Sequence, residues 1–184
     1  MRKSAIKQIP PHYVPYISIV DDLPIKAALD KHLGSFQNLD ITVLEELGDR
    51  VYAPGKWTTK EILQHIIDWE RIFSYRAMVY ARQEPTRPVA HDENWMTPHS
   101  KANSRTFQDL IDDFLFVRSS TISLFKTFDE EDLMQIAYSG ENEFSVLGFG
   151  FSMVGHQIHH FHVIQERYLP LLGREVELVK GMRC

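Results

Sequence analysis

The chain has 184 residues, 43% of them hydrophobic and 24% charged, and its 20 basic and 25 acidic residues give a formal net charge of −5. This composition excludes a disordered chain and predicts one globular domain, residues 1–184, with a buried core. The acidic balance argues against nucleic acid as a partner, because binding to a phosphate backbone needs clustered Lys and Arg.

Membrane and disulfide classes are also disfavoured. The longest nearly apolar stretch, residues 144–155, is rich in glycine and too short to cross a bilayer. The first eight residues are basic but lack the apolar core of a secretory signal. The only cysteine is Cys184, which excludes an internal disulfide and a cysteine-based metal cage. We therefore expect a cytoplasmic protein without a membrane partner.

The first element is predicted to be an extended N-terminal arm, because three prolines lie among the aromatic and aliphatic side chains of residues 1–20. From Leu23 to Leu47, apolar residues then recur at spacings of three and four, which predicts a first amphipathic helix. Gly48 is well placed to end that helix.

A second helix is predicted to begin at Thr58, which forms a capping-box pattern with Glu61. Its apolar stripe contains His65, and it ends before Pro85, because a helix interior cannot accommodate proline. The polar stretch that follows, residues 84–103, is predicted to be a long loop between the second and third helices. Loops of this length in a compact domain often have a function.

Two further helices are predicted, a third over residues 107–125 and a fourth over residues 145–168, with a short acidic turn at residues 129–133 between them. No segment alternates strictly enough to predict a strand. Four long helices without an internal repeat favour an all-α fold, a four-helix bundle.

The fourth helix contains histidines with metal-ligand spacing. Residues four apart lie about 40° apart around a helix and about 6 Å along it, so His156 and His160 can direct their imidazoles at one ion. Spacing alone also allows a pair of His156 and His159. However, His159 and His162 turn away from the stripe that His156 and His160 share, so we prefer the latter pair.

A third ligand must come from another helix, and His65 is the natural candidate because its stripe is expected to face inward. Three histidines leave coordination positions open for water or substrate, which is typical of catalytic rather than structural sites. A single histidine on an apolar face is more often a hydrogen-bonded core residue than a metal ligand. The prediction of one divalent ion therefore depends on all three histidines together. Zinc or nickel is favoured, and manganese or iron is compatible with the same ligands.

Glycines and acidic residues have competing interpretations. Gly148, Gly150 and Gly155 are costly inside a helix, so they predict the close approach of another backbone, from this chain or from a second copy. Asp92 and Glu93 in the long loop could supply a base near the site, although a solvated acidic loop is the more common arrangement.

Together, these motifs resemble the DinB-like superfamily, which includes the bacillithiol transferases. The similar segments are YAPGKWTTKEILQH (52–65), DWERIF (68–73), AR (81–82), GHQIHH (155–160) and ERYL (166–169). The resemblance runs from Tyr13 to Leu169 and covers the start of that family's second helix and its last helix.

The resemblance implies an up-down-down-up bundle, often a homodimer, with one divalent metal ion held by three histidines. The corresponding residues here are His65, His156 and His160. Family members of known activity are mostly metal-dependent thiol S-transferases or related isomerases, and many others are described as hydrolases. The loop departs from the family pattern, because residues 89–95 read VAHDENW where relatives often have Gly-Phe before the acidic pair. That departure affects the expected substrate more than the expected metal.

The leading hypothesis is therefore a metal-dependent thiol S-transferase, in which a small thiol is deprotonated at the metal and attacks a small electrophile. The alternatives are a metal-dependent hydrolase that uses water, and a non-catalytic, metal-binding dimeric interaction module. An open pocket reached from Tyr13, Tyr16, Asp92 and Trp95 would favour an enzyme, whereas a closed coordination shell would favour the module. The sequence identifies no general base.

Overall fold

Four long helices form the frame of the protein in a computed structural model that describes residues 1–85 and 87–180; Cys184 lies outside the described residues. Shorter helices and one hairpin connect the long helices. In chain order the elements are α1 (Val14–Ser18), α2 (Ile25–Gln37), α3 (Ile41–Leu47), α4 (Thr59–Ala81), α5 (Glu93–His99), α6 (Phe107–Lys126), α7 (Glu130–Met134), β1 (Ile136–Ser139), β2 (Asn142–Ser145) and α8 (Val146–Val163).

The central helices α4 and α6 run in the same direction. Arg105, just before α6, donates a hydrogen bond of 2.6 Å to the side-chain oxygen of Gln64 near the start of α4. Further along both helices, Arg118 pairs with Glu70. Because the contacts advance together along the two helices, the chain must cross the length of the bundle between them, and residues 82–106 make that crossing.

Helix α8 runs opposite to α4. The ring centroids of His65 and His156 lie 4.8 Å apart, and those of Phe73 and Phe149 lie 5.9 Å apart. Contacts later in α4 therefore involve earlier residues of α8, so the two helices are antiparallel. This arrangement places the second turn of α4 beside the second half of α8.

Helix α2 runs opposite to α6. Phe36 stacks on Phe114 with ring centroids 3.8 Å apart, whereas the earlier Leu29 lies beside the later Arg118. With α4 and α6 parallel and α8 opposed to both, the four helices run up, down, down and up. The predicted bundle and its topology are thus confirmed.

The predicted first helix is in fact two helices, because the chain breaks between α2 and α3. The carboxylate of Asp40 accepts hydrogen bonds from the N–H groups of Thr42 and Val43 and so begins a new helix. The C-terminal segment forms hydrogen bonds with the backbone at this break. The Asp40 N–H donates to the Leu178 carbonyl, and the Lys180 N–H donates to the Asn38 carbonyl, both at 2.9 Å.

The N-terminal arm is folded into short turns rather than extended, so that prediction is wrong. A 3₁₀ turn, Pro11–Tyr13, leads directly into α1. Pro15 is tolerated there because the first turn of a helix does not need its missing N–H. Tyr13 and Ile17 are buried against the bundle and fix the arm in place.

Two local elements were not expected from the sequence. Strands β1 and β2 pair antiparallel from Ile136 opposite Ser145 to Ser139 opposite Asn142. Their turn contains Gly140 at φ +60°, a conformation that favours glycine. The long loop contains α5, which Asp92 caps through the N–H groups of Asn94 and Trp95. The acidic turn predicted at residues 129–133 is confirmed as α7.

None of the helices within residues 1–85 and 87–180 combines the length and apolar character that crossing a bilayer would require.

Candidate metal centre

His65 lies in the second turn of α4, and the start of that helix is tightly fixed. The hydroxyl of Thr58 accepts a hydrogen bond from the Glu61 N–H at 3.2 Å, and the Glu61 carboxylate accepts one from the Thr58 N–H at 2.8 Å. This is the predicted capping box. The His65 ring is buried against the indoles of Trp57 and Trp69, at centroid distances of 4.9 and 4.8 Å.

Helix α8 brings two histidines to the same point. Nε2 of His156 lies 3.0 Å from Nε2 of His160 and 2.9 Å from Nε2 of His65. Taking one ligand atom from each residue, all three atoms lie within 4.8 Å of one another. His159 instead packs its ring against Tyr16, and His162 is exposed. The structure thus brings together the three histidines that spacing and stripe favoured.

Gly155, directly before His156, allows the arm to approach α8 closely. A Cβ atom there would overlap the backbone carbonyl of Tyr16, which confirms the predicted backbone contact for this glycine. The same prediction is wrong for Gly148 and Gly150, where the neighbouring atoms belong to side chains. At all three positions the neighbour belongs to this chain.

Hydrogen bonds alone cannot satisfy the three imidazoles. Each ring nitrogen of a neutral histidine carries either one proton or one lone pair. Nε2 of His156 has two Nε2 neighbours within 3.0 Å, so it can form a hydrogen bond with only one of them. Nitrogens that bind one zinc ion tetrahedrally at about 2.0–2.1 Å lie about 3.3 Å from one another, which is close to the spacing found here. The donor set and its spacing therefore fit a divalent cation.

The protonation state of the cluster also suits a metal. Burial, with a smaller contribution from His159, lowers the pKa of His65 to about 4. Burial and the neighbouring imidazoles lower the pKa values of His156 and His160 well below the ordinary value. All three rings are consequently neutral at pH 7, with lone pairs available for a cation.

A cavity of about 410 Å³ opens beside His65 and His156. Its walls include Tyr13 and Tyr16 from the arm and Glu93 from the first turn of α5. An open pocket reached from the arm was the feature expected of an enzyme.

The other two residues expected at this pocket lie elsewhere. Asp92 caps α5, and Trp95 is 71% exposed, with its indole in tilted contact with the ring of His99. Glu93, rather than Asp92, is therefore the acidic residue that α5 brings to the cavity.

A second cavity, of about 250 Å³, lies on the His160 side of the cluster. Trp57, Lys56 and Tyr168 contribute to its walls, together with Asn94 of α5. Because Glu93 lines the larger cavity and Asn94 the smaller, α5 lies between them. The cluster thus borders two cavities, with His65 and His156 at the larger one and His160 at the smaller one.

Sequence reasoning missed several residues of the larger cavity. His12 and His91, which the sequence analysis did not single out, both line it. Arg76 and Arg87 line it as well. For Arg76 a signal was available, because this cation lies on the same stripe of α4 as His65 and Phe73.

Comparisons with known proteins support this description. A family model described as the DinB superfamily matches residues 27–164. Among solved structures, YfiT from Bacillus subtilis is similar, with a TM-score of 0.65 and 14% sequence identity over 92% of this chain and 93% of that chain. YfiT is described as a probable metal-dependent hydrolase with an unusual four-helix bundle topology, and at this identity the likeness concerns the fold. No curated protein matches the chain in sequence. The family model spans most of the chain, and the protein therefore belongs to the DinB superfamily.

Proposed function

We propose that this protein is a metal-dependent enzyme in which His65, His156 and His160 hold one divalent ion. The observation that carries the proposal is the convergence of three neutral imidazoles, two of which, His65 and His156, line an open cavity. Structural metal sites are closed by protein ligands, whereas catalytic sites keep a position for substrate or water. The description of YfiT as a probable metal-dependent hydrolase supports the same class of protein.

The reaction we favour is the transfer of a small thiol to a small electrophile. A divalent ion in such a site lowers the pKa of a thiol or water at its open position. Cavities on two sides of the histidines support a reaction with two organic substrates, because hydrolysis needs room for only one. Hydrolysis remains the second candidate, and the description of YfiT favours it.

The side chains of the larger cavity have defined tasks in either reaction. Tyr13, Trp69 and Phe73 offer aromatic surfaces that bind an apolar substrate and exclude water. Burial, together with the charge of Glu93, raises the pKa of Tyr16. The Tyr16 phenol therefore keeps its proton at neutral pH and can donate a hydrogen bond to a substrate in the cavity that it lines.

The metal site is tested by elemental analysis of untagged protein. We expect close to one equivalent of metal in the wild type and little in His160→Ala, because that change removes one of three ligands. His162→Ala is the matched control, since it removes an exposed histidine from the same helix. The absence of metal from the wild type after incubation with zinc or nickel would refute the proposed enzyme class.

The reaction is tested on the metal-loaded protein. A chlorodinitrobenzene is offered with a panel of small thiols, and a nitrophenyl ester is offered without thiol. Transferase activity predicts thiol consumption that His160→Ala abolishes, whereas ester cleavage without thiol would assign the site to hydrolysis. Metal binding without either activity would favour the interaction module instead.

A further inference from the structure

We propose that Arg76 and Arg87 form a binding site for an anionic group in the larger cavity, so that the substrate held there is a small organic acid or phosphoester. The inference rests on the proposed function in one respect, because it takes this cavity as the substrate site. It adds the chemical class of the ligand, which the histidine cluster does not specify.

Basic side chains outnumber carboxylates in the lining of the larger cavity. Arg76 and Arg87 line it together with one carboxylate, that of Glu93. Within the described residues, neither guanidinium forms an ion pair. Arg76 donates one hydrogen bond, to the Val89 carbonyl at 2.9 Å, which leaves most of its five N–H donors for a ligand.

An aromatic contact holds Arg87 at the cavity. Its guanidinium carbon lies 3.8 Å from the ring centroid of Tyr138 in β1. Stacking of this kind orients the plane of the guanidinium without using its N–H groups. The bond from Arg76 to Val89 ties the segment that follows Arg87 to α4. The guanidinium groups of Arg76 and Arg87 are thus both held at the cavity, and both have N–H donors available for carboxylate or phosphate oxygens.

The size and lining of the cavity indicate the rest of the ligand. A volume of about 410 Å³ lies within the range of small-molecule sites, roughly 300–1,000 Å³. Tyr13, Trp69 and Phe73 provide apolar walls, and His65 and His156 border the same space. The ligand that fits has an apolar body, an acidic group for the arginines and a reactive group for the histidine side.

Three probes test the site by calorimetric titration at neutral pH: phenylbutyrate, its neutral amide, and phenyl phosphate. We expect the wild type to bind at least one acidic probe about tenfold or more tightly than the amide, because a charge-assisted bidentate contact contributes that much. Arg87→Gln and Arg76→Gln should each lose about tenfold in affinity for the acid and little for the amide. The preferred acid identifies the occupant as a carboxylate or a phosphate.

Arg82→Gln is the matched control, because it removes the same charge from the exposed end of α4 outside the cavity. It should bind the acidic probes within about twofold of wild type. Equal binding of acid and amide, unchanged affinity in both arginine variants, or no binding of either acid at millimolar concentration would overturn the proposal.

Metal analysis of the same variants separates this inference from the proposed function. The titrations are made on the protein as purified and after chelation, since an acid could also bind a metal ion directly. The arginines should matter in both states. Arginine variants that keep their metal and bind acids like wild type refute only the anion site, whereas a wild type without metal refutes the proposed function.

Discussion

Glu70 and Arg118 form an ion pair that is sealed between α4 and α6. Their side chains are 1% and 0% exposed, and the guanidinium donates two hydrogen bonds to the carboxylate, at 2.6 and 3.0 Å. The guanidinium also lies 4.8 Å from the ring centroid of Phe114. Charges so deeply buried are tolerated only while each satisfies the other. This pair therefore favours one alignment of the two parallel helices over shifted ones.

We expect Arg118→Met to lower the free energy of unfolding by about 3–5 kcal/mol, because it leaves the Glu70 carboxylate buried without a partner. The double variant Glu70→Leu/Arg118→Met should lose less than the sum of the two single changes. Urea unfolding measures all of these quantities. Lys31→Met breaks the exposed pair with Asp21 and serves as the control, for which we expect little change. Equal losses in Arg118→Met and Lys31→Met would contradict the assignment.

Two glycines inside helices offer a matched comparison. Gly155→Ala would place a methyl group in the backbone of Tyr16, and we expect a loss of about 1–3 kcal/mol. Gly34→Ala in α2 meets no atom within 4 Å and should gain about 0.5–1 kcal/mol, the usual preference for alanine in a helix. Thermal unfolding of the two variants should therefore shift in opposite directions. An unchanged or raised stability of Gly155→Ala would show that the arm does not contact α8 as described.

At the scale of elements, long helices with continuous apolar stripes could be predicted from the sequence. Helices α4 and α6 have capping boxes at Thr58 and Thr106 and apolar stripes over several turns, so local and tertiary preferences agree. The break after α2 was not predicted, because Leu39 continues the helical spacing although it is buried outside the helix, in an isolated antiparallel bridge with Val179. Its cause lies far away in sequence, in the backbone pairing with Leu178 and Lys180.

The residues of the candidate site also divide into those that local sequence patterns predict and those that contacts between distant segments place. His156 and His160 were predictable because helical spacing is local, and His65 followed from its inward stripe. The hairpin could not be predicted, since two four-residue strands are too short for a pattern of alternation. At the cavity the guanidinium of Arg87 lies on the ring of Tyr138 in that hairpin, so this part of the site includes a contact between distant segments.

The C-terminal segment that pairs with the break between α2 and α3 is expected to stabilise the bundle. Leu178 is 1% exposed and packs in the core cluster that contains α3, so Leu178→Ala should cost about 2–5 kcal/mol. Leu171→Ala, at 37% exposure, is the matched control and should cost much less. Chemical unfolding compares them directly. A loss no larger than that of the control would mean that the terminal segment does not stabilise the bundle.

Buried histidines make the stability of the protein depend on pH. Burial and the positive charges of Arg118 and Lys31 lower the pKa of His32 to about 4, although Asp21 acts in the opposite direction, and His65 has a pKa of about 4. In the unfolded chain these groups titrate near pH 6.5. Between about pH 6.5 and pH 4 the unfolded state therefore binds more protons, and stability falls as the pH is lowered.

We expect the urea midpoint of chelated protein to be constant from pH 8 to about pH 7 and to decrease steadily towards about pH 4. His32→Gln should show a shallower decrease than wild type, because one of the groups excluded from protonation is gone. A variant with the same pH dependence as wild type would refute the assignment to His32.

The homodimer remains a prediction. The glycines that could have marked an interface contact atoms of their own chain. The remaining support for a homodimer is the resemblance to a family whose members are often dimeric. Light scattering of the purified protein measures the mass of the particle in solution directly. A monomer would leave the histidine cluster unaffected, because all three residues belong to one chain.

The crossing between α4 and α6 has a consequence for a cut chain. His65 precedes the exposed segment 87–92, and His156 and His160 follow it. A single protease cut in that segment would leave the donors on two peptides, each with two of the long helices. Zinc should then promote reassembly of the fragments, and His160→Ala should weaken that effect. Split at this crossing, the bundle would act as a two-part sensor whose reconstitution reports the free metal concentration.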